Sequence, residues 1–357
     1  MKIRVERPGA LTTVQDAGRW GHQGIGMPVC GAMDAPALTR GNLLLGNDPG
    51  AAALEVTLMG PTLVFQDGEG TIAITGGDLS PKLNGVPVPQ WTVLSVASGD
   101  TLSFGAPKGR GCRAYICVGG GIDVPLVMGS RSTYVKAGIG GFEGRALKSG
   151  DVLPVGTPWI LWKKTVGISC PHELQPDYAF TAPLRAVLGP QDSYITPQGI
   201  KTFFETEYKI SPSADRMGYR MESDAIIEHV KGPDIISDGI PMGAIQIPGQ
   251  GVPIVMMADR QTTGGYVKIA VLHALDVARL SQRLPGSPVR FACITQEEGI
   301  AIAKGEAKAV EELRLYVRSQ VAGGTHCPSQ GADAPSSGAM DLSVNGTHYS
   351  VTWEKMQ

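Results

Sequence analysis

A mainly β protein made of two related domains is what the amino-acid sequence predicts, on three observations. Short apolar runs rich in Val, Ile and Thr recur between turn signals (ALEVTL, TLVFQ, TIAIT, TVLSV, TLSFG, AYICVGG), the spacing of strands in a barrel or sandwich. Glycine and proline are abundant, 48 and 26 of 357 residues, while aromatics make up 6%, a composition that supplies turns rather than long helices. The third observation is an internal echo. GGGIDVPLVMGSRSTYVKAGIGG precedes RALKSGDVLPV, and GQGVPIVMMADRQTTGGYVKIA precedes ARLSQRLPGSPVRF. Each copy runs through a glycine turn, a V-P-[LI]-V-M strand, a polar bend, Tyr-Val-Lys and a Leu-rich stretch, so the halves read as two versions of one β unit. The chain is also too long for a single comfortable core. The expected units are residues 1–165 and 166–320, followed by an extension over 321–357.

Helices are few and placed by their caps. Candidates are Ala35–Leu45, Pro197–Glu205 and Ala270–Arg283, and a fourth over Thr295–Ser319 opens with Thr295-x-x-Glu298. That spacing lets two side chains satisfy free amide donors at a helix start. After Gln320 the stretch AGGTHCPSQGADAPSSGA has too little apolar area to fold alone and reads as a linker. LSVNGTHYSVTW then places alternating residues around Asn345-Gly346, a strong hairpin signal, and is expected to form a docking pair of strands. Asn345-Gly346-Thr347 also fits a glycosylation acceptor, but the turn reading is preferred without a secretory signal.

Charge and cysteines narrow the function. Acidic and basic residues nearly cancel, for a formal charge of -2, so no general attraction to nucleic acid or an anionic membrane is built in. MKIRVERPG lacks the apolar core of a signal peptide, and no apolar run approaches the roughly 18 residues of a spanning helix, so a cytoplasmic location is expected. The six cysteines are scattered without a CxxC pair, most of them within strand-like apolar runs, and neither a disulfide framework nor a metal site is expected. Gly-Lys never occurs, and no GxGxxG joins a strand to a helix, so a Walker-type or Rossmann-type nucleotide site is absent. Without HExxH or GxSxG, a metal or serine hydrolase is disfavoured.

Three polar clusters remain. Thr12 to Arg19, followed by Gly24, Gly26 and Gly31-Ala32-Met33-Asp34, reads first as a glycine-rich loop in which Asp16 and Arg19 pair to hold the turn. Asp215-Arg216-Met217-Gly218-Tyr219-Arg220 reads first as the start of a strand carrying surface charges. The third, Met256 to Tyr266 (MMADRQTTGGY), follows the strand-like run VPIVMM and is read as turning through Gly264-Gly265. Amides freed by such a turn, with the Thr262 and Thr263 hydroxyls, can bind an anion or amide. Asp259 can orient or deprotonate, and Gln261 can recognise a carboxamide edge. Its counterpart in the first half, Gly129-Ser130-Arg131-Ser132-Thr133, keeps hydroxyls but lacks the acid and amide.

TTVQDAGRWGHQGIG, GAMDAPALTRGNLLLGND, LEVTL, DRMGYRM, SDGIPMGAIQIP and ADRQTTGGY, in that order over roughly residues 1–310, resemble the KipA family. Its members are also known as the C subunit of 5-oxoprolinase, as allophanate hydrolase subunit 2 or as biotin-dependent carboxyltransferase-like proteins. The resemblance implies tandem cyclophilin-like β-barrel domains. It implies a KipI-like B subunit and a LamB/YcsF-like A subunit as partners in an ATP-dependent enzyme that opens the lactam of 5-oxoproline to glutamate. ATP, with magnesium, would be shared with the KipI-like partner. On this resemblance Asp259, Gln261, Thr262 and Arg216 are the expected reacting-end contacts, and Gln15, Asp16, Arg19, Glu55, Tyr219, Thr263, Gly264 and Tyr266 the expected substrate-binding residues. The sequence departs from the pattern at Val267, where Pro is expected after GGY, at Cys30, where Ser is common, and in the tail. LSVNGTHYSVTWE resembles the first hairpin of biotin carrier domains, but no Ala-Met-Lys-Met or similar lysine-bearing turn occurs to carry biotin. Two other functions stay open: a regulatory partner that antagonises a KipI-type kinase inhibitor, and a urea-carboxylase-like carboxyltransferase.

Overall fold

The computed structural model describes residues 1–109, 111–178, 180–323, 337–344 and 347–354. Two sheets form the first unit. Six strands run in the order Val152–Pro154, Lys2–Arg7, Thr62–Gln66, Thr101–Ser103, Lys82–Leu83, Val86–Pro87, and five in the order Leu11–Gln15, Ala53–Thr57, Arg113–Val118, Glu69–Gly76, Val93–Ala97. They close on a core of Ile3, Val14, Leu54, Phe65, Ile74 and Ile116. Because side chains alternate across a strand, Val14, Leu54, Ile116 and Ile74 face this core, and their neighbours Thr13, Glu55, Tyr115 and Thr75 form a cross-strand row on the opposite face. From that row Glu55 meets the second unit, through Arg216.

The second unit is a nine-stranded, nearly closed sheet. Its main path runs Pro288–Val289, Tyr208–Ile210, Gly218–Glu222, Ile254–Met256, Ala244–Ile247, Thr263–Leu272, Leu184–Leu188, Phe291–Cys293, with Asp234–Gly239 added beside Thr263–Leu272. Its core includes Leu184, Tyr208, Ile245, Val255, Ile269 and Phe291. Phe203 stacks on Phe291 at 4.8 Å between ring centroids and so anchors helix α2 (Pro197–Glu205). The mainly β, tandem-barrel class with a few helices holds.

The other three helices are α1 (Ala35–Leu44), α3 (Ala274–Ser281) and α4 (Gln296–Val321). Asp34 caps α1 by accepting from the Ala37 amide at 3.0 Å, and Thr196 caps α2. Both halves of the capping box open α4: the Glu298 amide donates to Thr295 Oγ1 at 3.1 Å, and the Thr295 amide donates to Glu298 Oε2 at 2.7 Å. The α3 expectation began too early. Ala270 to Leu272 continue the long strand, and the helix begins only after His273. His273 marks the join, accepting from the Leu275 amide at 3.3 Å, but histidine is not one of the residue types that ordinarily signal a helix start.

Helix α4 leaves the second barrel and returns to the first. Leu313, Val317 and Val321 pack with Ala37, Leu38 and Leu44 of α1, and with Ile168 and Cys170 of the connecting segment. Arg40 of α1 locks this contact, with both terminal guanidinium nitrogens donating to Glu306, at 2.6 and 2.9 Å.

The internal echo does not become two copies of one structure. Val252 to Met257 supplies the strand Ile254–Met256, whereas Val124 to Met128 stays in an irregular loop with a single bridge between Val127 and Ser130. In the tail, Ser337–Val344 and Thr347–Glu354 pair antiparallel with Val344 opposite Thr347, as the hairpin pattern predicts. Asn345 and Gly346, and the linker residues 324–336, lie outside the described residues.

Candidate active site

The chain fastens its two barrels with buried charge. Arg216 precedes the strand Gly218–Glu222 and is 8% exposed, not the surface charge that the strand-start reading expects. Its Nε and Nη2 donate to the two oxygens of Asp259 at 3.0 and 2.8 Å, Nη2 also donates to the Gly31 carbonyl at 2.7 Å, and Nη1 donates to Glu55 Oε1 at 2.5 Å. Glu55 is in turn held by the Tyr115 hydroxyl and the Met33 amide at 2.7 and 2.8 Å. Burial alone would push the Glu55 carboxyl up, but the guanidiniums of Arg216 and Arg113 and these donors outweigh it and hold it below its ordinary value. The same carboxylates keep Arg216 firmly charged despite its burial.

The seam continues on both sides. The Cys30 amide donates to the Ala258 carbonyl at 3.1 Å across the two barrels. Arg113 Nη1 donates to the Tyr219 hydroxyl at 2.7 Å and to the Ser281 carbonyl. Gln282, at the end of α3, donates to Asp34 at 2.7 Å and accepts from the Cys112 and Arg113 amides. Cys30 sits in the left-handed region at φ 57°. Burial first, and then the Asp259 charge, push its thiol up to about 12, so it packs as a neutral group.

Asp16 and Arg19 do not pair with one another. Each binds the loop that carries the first copy of the echo. Asp16 accepts from Ser130 Oγ at 2.7 Å, from Ser132 Oγ and from the Arg131 amide at 2.5 Å, while Arg19 donates to the Val127 and Ser132 carbonyls at 2.8 and 2.9 Å. Gln15 is buried beside them, its Nε2 donating to Thr13 and to the Thr133 carbonyl. A short polar loop needs such internal acceptors once it is buried.

Past Asp259 the chain reaches the surface. The reversal lies at Met257 to Arg260, where the Arg260 amide donates to the Met257 carbonyl at 3.3 Å, and not at Gly264-Gly265. Those two glycines are pleated residues of the strand Thr263–Leu272, with Gly264 opposite Asp238. Two hollows flank this stretch. One, of about 740 Å³, is mainly apolar and is lined by Trp20 and Pro28 from the first barrel and by Ile240, Met242 and Thr262 from the second. The other, of about 380 Å³, is polar, with Lys136 from the first barrel and Arg220, Asp215, Gln246 and Tyr266 from the second. Gln261 lines both.

The residues singled out from sequence thus fall into two groups. Gln15, Asp16, Arg19, Glu55, Arg216, Tyr219 and Asp259 are buried, the last four of them in the seam, and Gln261, Thr262 and Tyr266 line open hollows. Thr263 and Gly264 lie in the adjoining strand. Lys136 and Gln246 were not singled out. Gln246 carried a readable signal, being one amide in the otherwise apolar strand Ala244–Ile247. A further hollow of about 410 Å³ lies between α1, α3 and α4. Of its arginines, Arg40 binds Glu306, and Arg185 and Arg279 bind Asp276.

The two barrels thus join across a charged seam, with a polar groove at its mouth. Residues 25–293 match the family described as carboxyltransferase domain, subdomain A and B. The chain belongs to this family, and within it to the group of 5-oxoprolinase C subunits that the KipA resemblance indicated. It is 37% identical over 318 residues to the 5-oxoprolinase C subunit of Escherichia coli, covering 89% of this chain and 99% of that protein. The corresponding 5-oxoprolinase C subunit of Haemophilus influenzae is 34% identical, with 85% and 95% covered. Among solved structures, the Kluyveromyces lactis urea amidolyase superposes with a TM-score of 0.80 at 30% identity, over 87% of this chain but 20% of that much longer one.

Proposed function

We propose that this chain is the C subunit of an ATP-dependent 5-oxoprolinase, acting with a KipI-like B subunit and a LamB/YcsF-like A subunit to open the lactam of 5-oxoproline to glutamate. The observation that carries this reading is the near end-to-end match to 5-oxoprolinase C subunits, at 37% identity over 99% of one of them. The groove is compatible in size and chemistry. Its carboxamides suit a lactam, and the exposed cations Lys136 and Arg220 suit a carboxylate or a phosphoryl group.

An unstrained lactam is a poor electrophile. In the proposed reaction its oxygen attacks the terminal phosphorus of ATP, the amide proton is lost and ADP leaves; water then adds at the activated carbon, the C–N bond breaks as the nitrogen takes up protons, and hydrolysis of the resulting acyl phosphate gives glutamate and phosphate. This chain then needs no nucleophile of its own. Gln261, Thr262 and Tyr266 are the proposed ligand contacts. Asp259 and Arg216 are the proposed positioning pair, holding the Met257–Arg260 reversal from which Gln261 projects. Glu55, Gln15, Asp16 and Arg19 hold the first barrel's side of the cleft, Tyr219 the second barrel's, and Thr263 and Gly264 belong to the strand beside it. Among the described residues no group of three or more His, Cys, Asp or Glu side chains is placed to hold a metal ion.

The test is reconstitution. Mixing this chain with its KipI-like and LamB/YcsF-like partners should give glutamate release that requires ATP and stops when any one chain is left out; lactam turnover that is indifferent to this chain would end the reading. The superposition on urea amidolyase favours, as a second reading, carboxyl transfer to urea. That reading requires a biotinylated partner and bicarbonate, neither of which enters the lactam assay.

A further inference from the structure

Gln246 stands out from the other groups at the groove. It sits in the strand Ala244–Ile247, opposite Lys268, and is 2% exposed. Its Nε2 has no hydrogen-bond partner among the described residues. A buried carboxamide left in that state is costly, and such a cost is retained where a ligand completes the bond. The geometry around it is specific. A Cβ placed on Gly264 would stand 3.1 Å from Gln246 Nε2, 3.5 Å from Gln261 Nε2 and 2.6 Å from Ile240 Cδ1. Two carboxamides therefore converge over one bare Cα, on the wall of a groove that both line. Only glycine lets both amides close on the backbone there.

We infer that Gln246 recognises the amide edge of the ligand, pairing its carboxamide with a planar group whose N–H and C=O lie side by side. A carboxamide carries a donor and an acceptor on one edge, so it forms two hydrogen bonds at once with a partner of the same pattern. A five-membered lactam has that pattern because its ring holds the amide cis, and primary amides and urea have it as well. An open-chain secondary amide, held trans, points its N–H and C=O in opposite directions. Gln246 thus selects syn amides, and Gln261 adds a second donor to the same carbonyl oxygen. The inference rests on the reading of the groove proposed above and adds a specificity residue to it.

The experiment uses the assembled three-component enzyme and Gln246→Met, which keeps the shape and removes the edge. The KM for 5-oxoproline should rise about tenfold or more, the loss of two ligand hydrogen bonds, with kcat changed far less. Gly264→Ala, which crowds both amides from the backbone, should raise KM in the same way and covers the case in which the Met variant does not fold. A wild-type enzyme that turns over lactam with KM unmoved by either variant overturns the inference and leaves the proposed function standing. If the wild-type assembly opens no lactam, the proposed function falls, and binding decides the inference. The full chain is titrated with 2-pyrrolidinone, urea and N-methylacetamide by ligand-observed NMR. A preference for the first two that disappears in Gln246→Met supports it, and equal binding or none refutes it. Urea without 2-pyrrolidinone would identify urea as the source of the edge.

Discussion

Arg216→Met is the sharpest test of what joins the two barrels. The native guanidinium makes four hydrogen bonds at 2.5–3.0 Å, two to Asp259, one to Glu55 and one to Gly31. Its removal leaves two carboxylates facing each other at residues 1% and 6% exposed. Breaking a buried ion pair by deleting one partner costs about 3–5 kcal/mol, most of it the penalty of the charge left behind. With an unfolding slope of about 3 kcal/mol/M in urea, the midpoint should fall by about 1–2 M. Tryptophan fluorescence through a urea titration measures it. The triple variant Arg216→Met, Glu55→Gln, Asp259→Asn carries no stranded charge and should recover most of the loss. A single variant within about 0.3 M of wild type, or a triple variant no better than the single, would refute the assignment of the seam's strength to this charge cluster.

Three further outcomes follow from the geometry. The Glu55 carboxyl is held below its ordinary 4.5, so its contribution is fully present above pH 4.5 and is lost as pH falls through its lower folded value. The stability gap between wild type and Glu55→Gln, measured by urea unfolding, should be flat from neutral pH down to about 5 and close below 4.5. Leu313 is fully buried between α4 and α1, and Leu313→Ala should cost about 2–5 kcal/mol in calorimetric or chemical unfolding. Cys30, with its thiol pushed up to about 12, should resist iodoacetamide at about pH 8 in the folded protein while the exposed Cys293 is modified, as read by peptide mass mapping.

The helices legible in the sequence were those with local chemistry at their ends. Asp34 before α1, Thr196-Pro197 at α2 and Thr295-x-x-Glu298 at α4 each satisfy amide donors within three residues, so a short window contains the whole reason. The start of α3 is capped by His273, a residue type that does not ordinarily mark a helix start. Glycine pairs misled in the opposite direction: Gly264-Gly265 has the composition of a turn, but the strand needs Gly264 because Ile240 and two glutamine amides occupy the space of a side chain. The seam was beyond reach for a different reason. Arg216 and Glu55 are 161 residues apart, and nothing local to either distinguishes a buried partner from a solvated charge. The stretch around Asp259 does border a hollow, because strand ends open onto clefts, yet the acid it offered turned inward and the amide near it turned out.

The return of α4 to the first barrel has a bearing on biosynthesis. Residues as late as Val321 cover α1, whose own sequence is finished by Leu44. The N-terminal barrel therefore leaves the ribosome with an apolar flank bare and must wait for nearly the whole polypeptide before that flank is sealed. Gene truncations after the second barrel's last strand will expose the α1 flank of the first barrel, and a separately expressed first barrel will need α4 supplied in trans to stay in solution.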